Sequence, residues 1–348
     1  MNVSGAIAVS EASQVAEGRR LALWLASNLD FPEERGGRAA LVASELATNL
    51  YKHARKGELL FRRLRTPDGE ADGMEILALD KGPGIPDIAL SRRDGYSTAG
   101  TLGHGLGAVE RQADDIEIYT QPTGTVVAAR LWRKTPAPNA SRPQYDVGAV
   151  QVSYDSEPVC GDDWAWRLRD GRLSIFVADG LGHGLPAHEA AIAATRVFNA
   201  SHELPPGRLV EDVHAALRPT RGAAVACLAV DLERRTASFA GLGNISGVVL
   251  HPTGARHSMV SRNGTAGHIA PKVQEFHYPI PPGAIVVMFS DGLATQWDLR
   301  TYPGLQQRSA SVIAAVLCRD FSRVERLRRK DDVTVVVARE RPPVAEKL

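Results

Sequence analysis

The sequence predicts an α+β protein of two domains. The first observation is a break: residues 133–146, "RKTPAPNASRPQYD", hold three prolines and almost no apolar side chains. Such a stretch reads as a semi-rigid linker between two segments rich in periodic hydrophobics. The second is the order of patterns before it: helix, helix, strands, glycine-rich lid, helix, hairpin, which makes a helical layer on one sheet. The third is the pattern after it, mostly strands, in which apolar runs end repeatedly in Asp-Gly. The domain boundaries expected are 1–134, a linker over 135–145, and 146–342.

In the first segment, "SEASQVAEGRRLALWLASNLD" carries Val15, Leu21, Leu25 and Leu29 at helical spacing, with Trp24 beside them and Ser10 as N-cap. A second helix runs over "PEERGGRAALVASELATNLYKHAR", with Leu41, Val42, Leu46 and Leu50 as its inner face. Glu45 and Asn49 stand at i, i+4 and project from one face of it. Two strands follow, "GELLFRRLRT" and "GMEILALDKG". The second delivers Asp80 at its end, and Gly82, Pro83 and Gly84 force a sharp turn. "IPDIALSRRDGYST" reads as a loop. "AGTLGHGLGAVERQAD" then places Gly100, Gly103, Gly105 and Gly107 ahead of a helix. Glycines running into a helix N-terminus suit backbone N–H groups closing on a phosphate. A dinucleotide site should follow a strand, and this stretch follows a loop, so a lid over a nucleotide is the better reading. "DIEIYTQPTGTVVAARLW" alternates around a glycine turn and reads as a β-hairpin.

The second segment repeats one device. "LSIFVADGLGHGLPAHEAAIAATRVFNA" is an apolar strand, an Asp-Gly turn at Asp179–Gly180, and a helix with an apolar stripe. "GAIVVMFSDGLAT" delivers Asp291 the same way, "KDDVTVVVARE" opens a strand with Asp331 and Asp332, and "VCGDDWAWRL" supplies Asp162 and Asp163. Clustered carboxylates repel one another unless a cation lies between them. A donor set made only of oxygens favours Mg²⁺ or Mn²⁺ over zinc.

Composition narrows the function classes. The 348 residues are 44% hydrophobic and 23% charged, with 41 Lys and Arg against 40 Asp and Glu. A net charge of +1 gives no global field for nucleic acid or a membrane surface. No apolar run is long enough to span a bilayer, and "MNVSGAIAVSEASQ" lacks the pattern of a secretory signal. Three cysteines without a C-x-x-C fit reduced thiols in a cytoplasmic protein.

The motifs carry two resemblances. "ELATN", "DKGPGIPD", "TLGHGLGAV" and Gly124–Thr125, in that order, resemble the boxes of the GHKL (Bergerat) ATPase fold, and most closely the RsbT-type serine kinases of bacterial partner-switching systems. The resemblance implies that Asn49 ligates Mg²⁺, Glu45 is the general base on the attacking hydroxyl, and Asp80 accepts the adenine amino hydrogen. Gly82 and Gly84 let the chain pass close to the base, Gly103, Gly105 and Gly107 meet the phosphates, and Thr125 supports the adenine side. "VCGDDW", "VADGLGHG", "GLGNISG", "FSDGLAT" and "DDVTVVV" resemble the PPM metal-dependent serine/threonine phosphatases, in particular the SpoIIE and RsbX branch. That implies an αββα β-sandwich with two Mn²⁺ or Mg²⁺ ions. Asp179 would bridge them with the Gly180 carbonyl, and Asp291, Asp331 and Asp162 would complete the set. Ala165 stands where many relatives carry an acid, which leaves Asp163 as an alternative ligand, and Asp332 competes with Asp331. Asn244 either orients phosphate or caps a turn, and His183 reads as a holder of its turn. Together the resemblances imply a kinase domain fused to a phosphatase domain acting on a STAS-domain, anti-anti-sigma-type protein, with a sigma factor or a downstream phosphatase as further partners. The alternative is a phosphatase whose first domain is an ATP-dependent anti-sigma binder or an ATP sensor.

Overall fold

In a computed structural model, Ser4–Val9 forms a strand, β1, that sequence periodicity did not indicate. Six residues so close to the N-terminus offer little alternation to read. Pairing supplies the reason: Ile7 sits opposite Leu59 on the neighbouring strand, and both are buried. The structure describes residues 4–54, 57–65, 72–91, 105–134, 144–154, 157–201, 204–325 and 328–341. Gly100, Gly103 and His104 of the expected lid, and most of the expected linker, lie outside these. The chain divides into two compact units, Met1–Ser141 and Arg142–Leu348. Among the described residues no helix is long and apolar enough to cross a membrane.

In the first unit, β1 leads to α1 (Ala12–Asn28) and α2 (Glu33–His53), then β2 (Gly57–Arg65), β3 (Asp72–Asp80), α3 (Ile88–Ser91), α4 (Gly105–Gln112), β4 (Asp115–Gln121) and β5 (Gly124–Trp132). The five strands form one antiparallel sheet in the order β1-β2-β3-β5-β4. Leu59 and Phe61, Met74 and Ile76, and Ala129 and Leu131 share one sheet face and pack with Leu25, Val42, Leu46 and Leu50 of the helices. Two local expectations need correction. Helix α1 is capped at Glu11 rather than Ser10, because the Gln14 carboxamide oxygen accepts the Glu11 N–H at 2.8 Å. Leu41 is 46% exposed. The inner face of α2 is set by Ala39, Val42, Ala43, Leu46, Ala47 and Leu50, and Leu41 lies one residue, about 100°, off that stripe. The loop expected after Asp80 also contains one short helical turn, α3.

The opposite sheet face carries a ladder of alternating charge. Arg62, Glu75, Arg130 and Asp115 sit side by side on four neighbouring strands. Glu75 is fully buried and holds both Arg62 and Arg130. Burial alone would lower the Arg130 pKa, but Glu75, Asp115 and Glu117 outweigh it and hold the guanidinium firmly charged. Glu75→Ala leaves two guanidinium groups facing each other without their shared carboxylate. It is expected to cost about 3–5 kcal/mol, read as a lower denaturant midpoint for this unit.

The second unit is a sandwich. Its strands are β6 (Tyr145–Val152), β7 (Asp162–Arg169), β8 (Arg172–Gly180), β9 (Ala223–Asp231), β10 (Thr236–Leu242), β11 (Ser246–Leu250), β12 (Arg256–Met259), β13 (Phe276–Pro279) and β14 (Ile285–Phe289), then the short pair β15 (Val324–Glu325) and β16 (Arg328–Arg329), and last β17 (Val333–Glu340). One five-stranded sheet runs β13-β10-β9-β8-β7 and the other β12-β11-β14-β17-β6. Ile175, Val177, Leu228 and Phe239 of the first meet Val249, Val286, Met288 and Val336 of the second in an apolar interior. Helices α5 (Leu185–Ala200) and α6 (Pro206–Ala216) cover the outside of the first sheet through Phe176, Ala194, Phe198 and Val213. Helix α7 (Ala310–Phe321) packs on β6 and β17 of the second. The αββα layering expected from the sequence is present.

Candidate active sites

Each unit gathers its chemistry-bearing residues at strand ends. In the first, the Asp80 Oδ1 accepts the Gly82 N–H at 2.7 Å and the Thr125 N–H at 3.3 Å. Thr125 is buried, and its hydroxyl lies 3.0 Å from that of Thr120, which also accepts the Ile85 N–H at 2.8 Å. Asp80, Gly82, Gly84 and Thr125 therefore share one corner. Gly84 has φ of +78°, and a Cβ there would stand 2.2 Å from the Gln121 carbonyl oxygen, so only glycine closes this turn. The last turn of α2 reaches the same corner: a Cβ at Gly82 would stand 3.1 Å from the His53 carbonyl oxygen.

One turn earlier on α2, Asn49 Oδ1 lies 3.6 Å from the position of a Gly105 Cβ, at the start of α4. Glu45 sits one further turn back, half-buried like Asn49. Gly107 is buried inside α4. Arg38 anchors α4 to α2 by donating to the Gln112 carbonyl at 2.9 Å, and Arg35 pairs with Asp114 at 2.7 Å. The helix that follows the glycine-rich stretch is thus fixed against the helix that carries Glu45 and Asn49.

In the second unit the acids meet at one end of the sandwich. The β7–β8 register pairs Asp162 with Asp179 and Asp163 with Ala178. Paired residues project to the same side of a sheet. Val177 faces the sandwich interior and Ala178 faces the helices, so Asp162 and Asp179 lie on the interior side and Asp163 on the helix side. From the other sheet come Ser290 and Asp291 after β14, and Asp331 and Asp332 before β17. Ser290, fully buried, donates to Asp162 Oδ2 at 2.7 Å while its oxygen accepts the Thr334 N–H at 2.9 Å. The other Asp162 oxygen is buried with no hydrogen-bond partner.

Electrostatics mark the cluster. Burial, then the charges of Asp162, Asp291, Asp331 and Asp332, push the Asp179 pKa well up. Burial and the Asp332 charge do the same to Asp162. Asp331 is raised by burial and by Asp291. Asp332 has a different environment: it accepts the Tyr154 N–H at 2.8 Å and lies under Gly161, whose added Cβ would stand 2.6 Å from Asp332 Oδ2. Among the described residues no three His, Cys, Asp or Glu side chains already converge on a single point. The donors still fit a hard divalent ion: they are all oxygens, they repel one another, and two buried oxygens, Asp162 Oδ1 and Asp332 Oδ2, lack any partner.

Neighbouring groups hold the cluster in place, and of these Ser290 was missed at the sequence level. Asn244, left open between phosphate and turn, donates to Asp291 Oδ2 at 2.6 Å. His183 Nδ1 lies 2.6 Å from Glu157 Oε1, and Tyr154 packs against its ring, so this turn is held as expected of His183. A Cβ on Gly180 would stand 2.0 Å from the Ala187 carbonyl oxygen, which lets the first turn of α5 close onto the strand end.

The histidine kinase-like ATPase domain family matches residues 8–131, and the Stage II sporulation protein E (SpoIIE) family matches residues 169–341. The chain belongs to the first of these families through its first unit, and its second unit carries the SpoIIE match. Its first unit is a kinase-like ATPase domain and its second a PP2C-type serine/threonine phosphatase domain, fused in one enzyme. The ATPase unit is 34% identical over 133 residues to the serine/threonine-protein kinase RsbT of Bacillus subtilis (strain 168), covering 38% of this chain and 98% of RsbT. The SpoIIE unit is 23% identical over 187 residues to the phosphoserine phosphatase RsbX of the same organism, covering 54% of this chain and 90% of RsbX. A solved structure from work on the bacterial stressosome as a modular system matches with a TM-score of 0.52 and 26% identity, over 56% of this chain and 99% of that one. A crystal structure of RsbX in complex with magnesium shares the fold, with a TM-score of 0.50 and 22% identity over 58% of this chain and 98% of that one.

Proposed function

We propose that the chain is a bifunctional regulator of partner-switching type. Its ATPase unit phosphorylates a serine or threonine on a STAS-domain, anti-anti-sigma-type protein, and its SpoIIE unit removes that phosphate. The observation that carries the reading is the joining, in one chain, of an acid-lined SpoIIE centre to an RsbT-like unit that keeps Glu45 and Asn49 one helical turn apart. Free thiols at Cys160, Cys227 and Cys318 and the use of ATP suit the cytoplasm.

In the first unit Glu45 takes the proton of the attacking hydroxyl, and Asn49 offers its amide oxygen to Mg²⁺. Asp80 recognises the adenine amino group, with Thr125 beside it and the turn at Gly82 and Gly84 passing close to the base. Gly103, Gly105 and Gly107 offer backbone N–H groups to the phosphates. In the second unit Asp179, the Gly180 carbonyl, Asp162, Asp291 and Asp331 hold two Mn²⁺ or Mg²⁺ ions. The register supports Asp162 over Asp163, and Asp331 is taken as the ligand of its pair because it opens the DDVT motif, which in the family it resembles begins with the ligand. When bound, divalent cations supply charge neutralisation at the ATP phosphates, and water activation with Lewis-acid stabilisation at the phosphoester. Ser290 and Asn244 fix the orientation of Asp162 and Asp291. Ser290→Ala is therefore expected to weaken Mn²⁺ affinity by about 10–100-fold, measured by calorimetric titration.

The test uses a STAS-domain protein from the same genome, labelled ATP and the intact chain. Transfer of label to a serine or threonine supports the kinase reading. A stable unlabelled complex would replace it with an ATP-dependent binder. The tether between the units raises the effective concentration of both sites for one substrate pool. An unchanged phosphorylation balance after cleavage of that tether would remove this part of the proposal.

A further inference from the structure

Beyond the acid cluster, the turn that follows Asp179 opens into a groove of about 780 Å³, lined by Leu181, Gly182, Pro186, Glu189, Arg221 and His268. The groove is continuous with the strand end that delivers Asp179. Gly180 pairs with Ala223, and the Leu181 N–H donates to the Gly222 carbonyl at 3.0 Å, which fastens the segment carrying Arg221 to the turn. Arg221 Nη1 lies 3.2 Å from the position of a Gly182 Cβ, and His268 Nε2 donates to the Arg221 carbonyl at 2.9 Å. The backbone at Arg221 is thus held from two sides.

Two properties of this groove point to a ligand. Arg221 is exposed and forms no ion pair among the described residues, not even with Glu189 in the same groove. An unpaired guanidinium beside the acid cluster is a ready donor to a carboxylate. Leu181 lines the groove and is 55% exposed, and Leu185 and Ile269, next in the chain to the lining residues Pro186 and His268, are 58% and 74% exposed. Exposed apolar side chains on the segments that line a cationic groove suit a polypeptide segment rather than a bare phosphate.

We propose that this groove docks the stretch of substrate protein that flanks its phosphoserine. Arg221 takes an acidic side chain of that stretch, and Leu181, Leu185 and Ile269 cover an adjacent apolar residue. Arg221 and Ile269 are then specificity-determining residues of the phosphatase, and the inference rests on the phosphatase reading above.

The experiment compares the intact wild-type chain, Arg221→Ala and Ile269→Ser with Mn²⁺ on three substrates. These are p-nitrophenyl phosphate, a ten-residue phosphoserine peptide flanked by Asp and Leu, and the same peptide with Asn and Ser in their place. Arg221→Ala is expected to raise KM for the Asp-flanked peptide about tenfold, the worth of one charge-assisted hydrogen bond. Its kcat stays within twofold, and p-nitrophenyl phosphate and the neutral peptide are unaffected. Ile269→Ser raises KM for the Leu-containing peptide alone. An equal loss on all three substrates would make Arg221 a phosphoryl clamp and overturn the docking role. An unchanged KM for the Asp-flanked peptide in both variants overturns it as well. Failure of the wild type to hydrolyse any of the three overturns the phosphatase reading itself, a result distinct from the other two.

Discussion

Asp179→Asn is expected to abolish phosphatase activity and, in the absence of metal, to raise the melting temperature of the second unit. The two effects share one cause. Asp179 stands among Asp162, Asp291, Asp331 and Asp332 in a partly desolvated cleft, and each charge there costs folding free energy. Replacing one carboxylate by a neutral amide of the same shape relieves that repulsion by on the order of 1 kcal/mol, or about 2–4 °C for a unit of this size. On the ligand set proposed above, the same change removes the residue that would join both cation sites, and a loss of two to three orders of magnitude or more in turnover is expected, on the order of what one lost electrostatic stabiliser costs elsewhere.

The pH dependence has a definite sign. The folded-state pKa values of Asp162, Asp179 and Asp331 are all raised. Above the ordinary carboxylate range of about 4, the folded state therefore holds protons that the unfolded chain has released. Stability of the metal-free unit is greatest near the acid end and falls as pH rises above that range. Mn²⁺ at about 100 times its Kd would add about 2.7 kcal/mol at neutral pH and offset the fall. Differential scanning calorimetry with EDTA and with Mn²⁺ checks both. A metal-free Asp179→Asn variant less stable than wild type at neutral pH would contradict the account.

Glu45→Ala is expected to stop phosphoryl transfer while leaving ATP binding intact, and Asn49→Ala to weaken both. Glu45 lies one turn of α2 before Asn49, and Asn49 is the residue that faces Gly105 at the start of α4. Removing a general base costs about 10²–10⁴-fold in rate without touching the nucleotide's own contacts. A fluorescent ATP analogue measures binding, and label transfer to the STAS-domain protein measures chemistry. Equal loss of both in Glu45→Ala would place Glu45 among the structural residues of α2.

The sequence made the architecture legible because both units are built from strongly periodic segments joined at glycine turns. Asp179 and Asp291 could be placed at strand ends because each follows an apolar run and directly precedes glycine, and Asp80 because it closes an apolar run two residues before Gly82. The choice between Asp162 and Asp163 was out of reach, since adjacent strand residues face opposite sides and only the pairing of Asp162 with Asp179 fixes which. Leu41 misled for a related reason: a leucine one residue off the stripe scores as apolar whichever way it faces. Partners distant in the chain left no local signal. Asn244 on Asp291, Ser290 on Asp162 and Arg221 over the Asp179 turn are all contacts made by folding. Glu75 was not singled out from the sequence, and only its two arginine partners on flanking strands explain a buried carboxylate there.

The central claim is that one chain writes and erases the same phosphoserine. The most direct test follows phosphoserine on a STAS-domain protein from the same genome, with limiting labelled ATP, Mg²⁺ and Mn²⁺. With wild type, phosphoprotein rises and then falls into free phosphate as ATP runs out. With Asp179→Asn it rises and stays, and with Glu45→Ala it never forms. A Glu45→Ala curve indistinguishable from wild type would contradict the claim and leave a phosphatase joined to an ATP-binding domain.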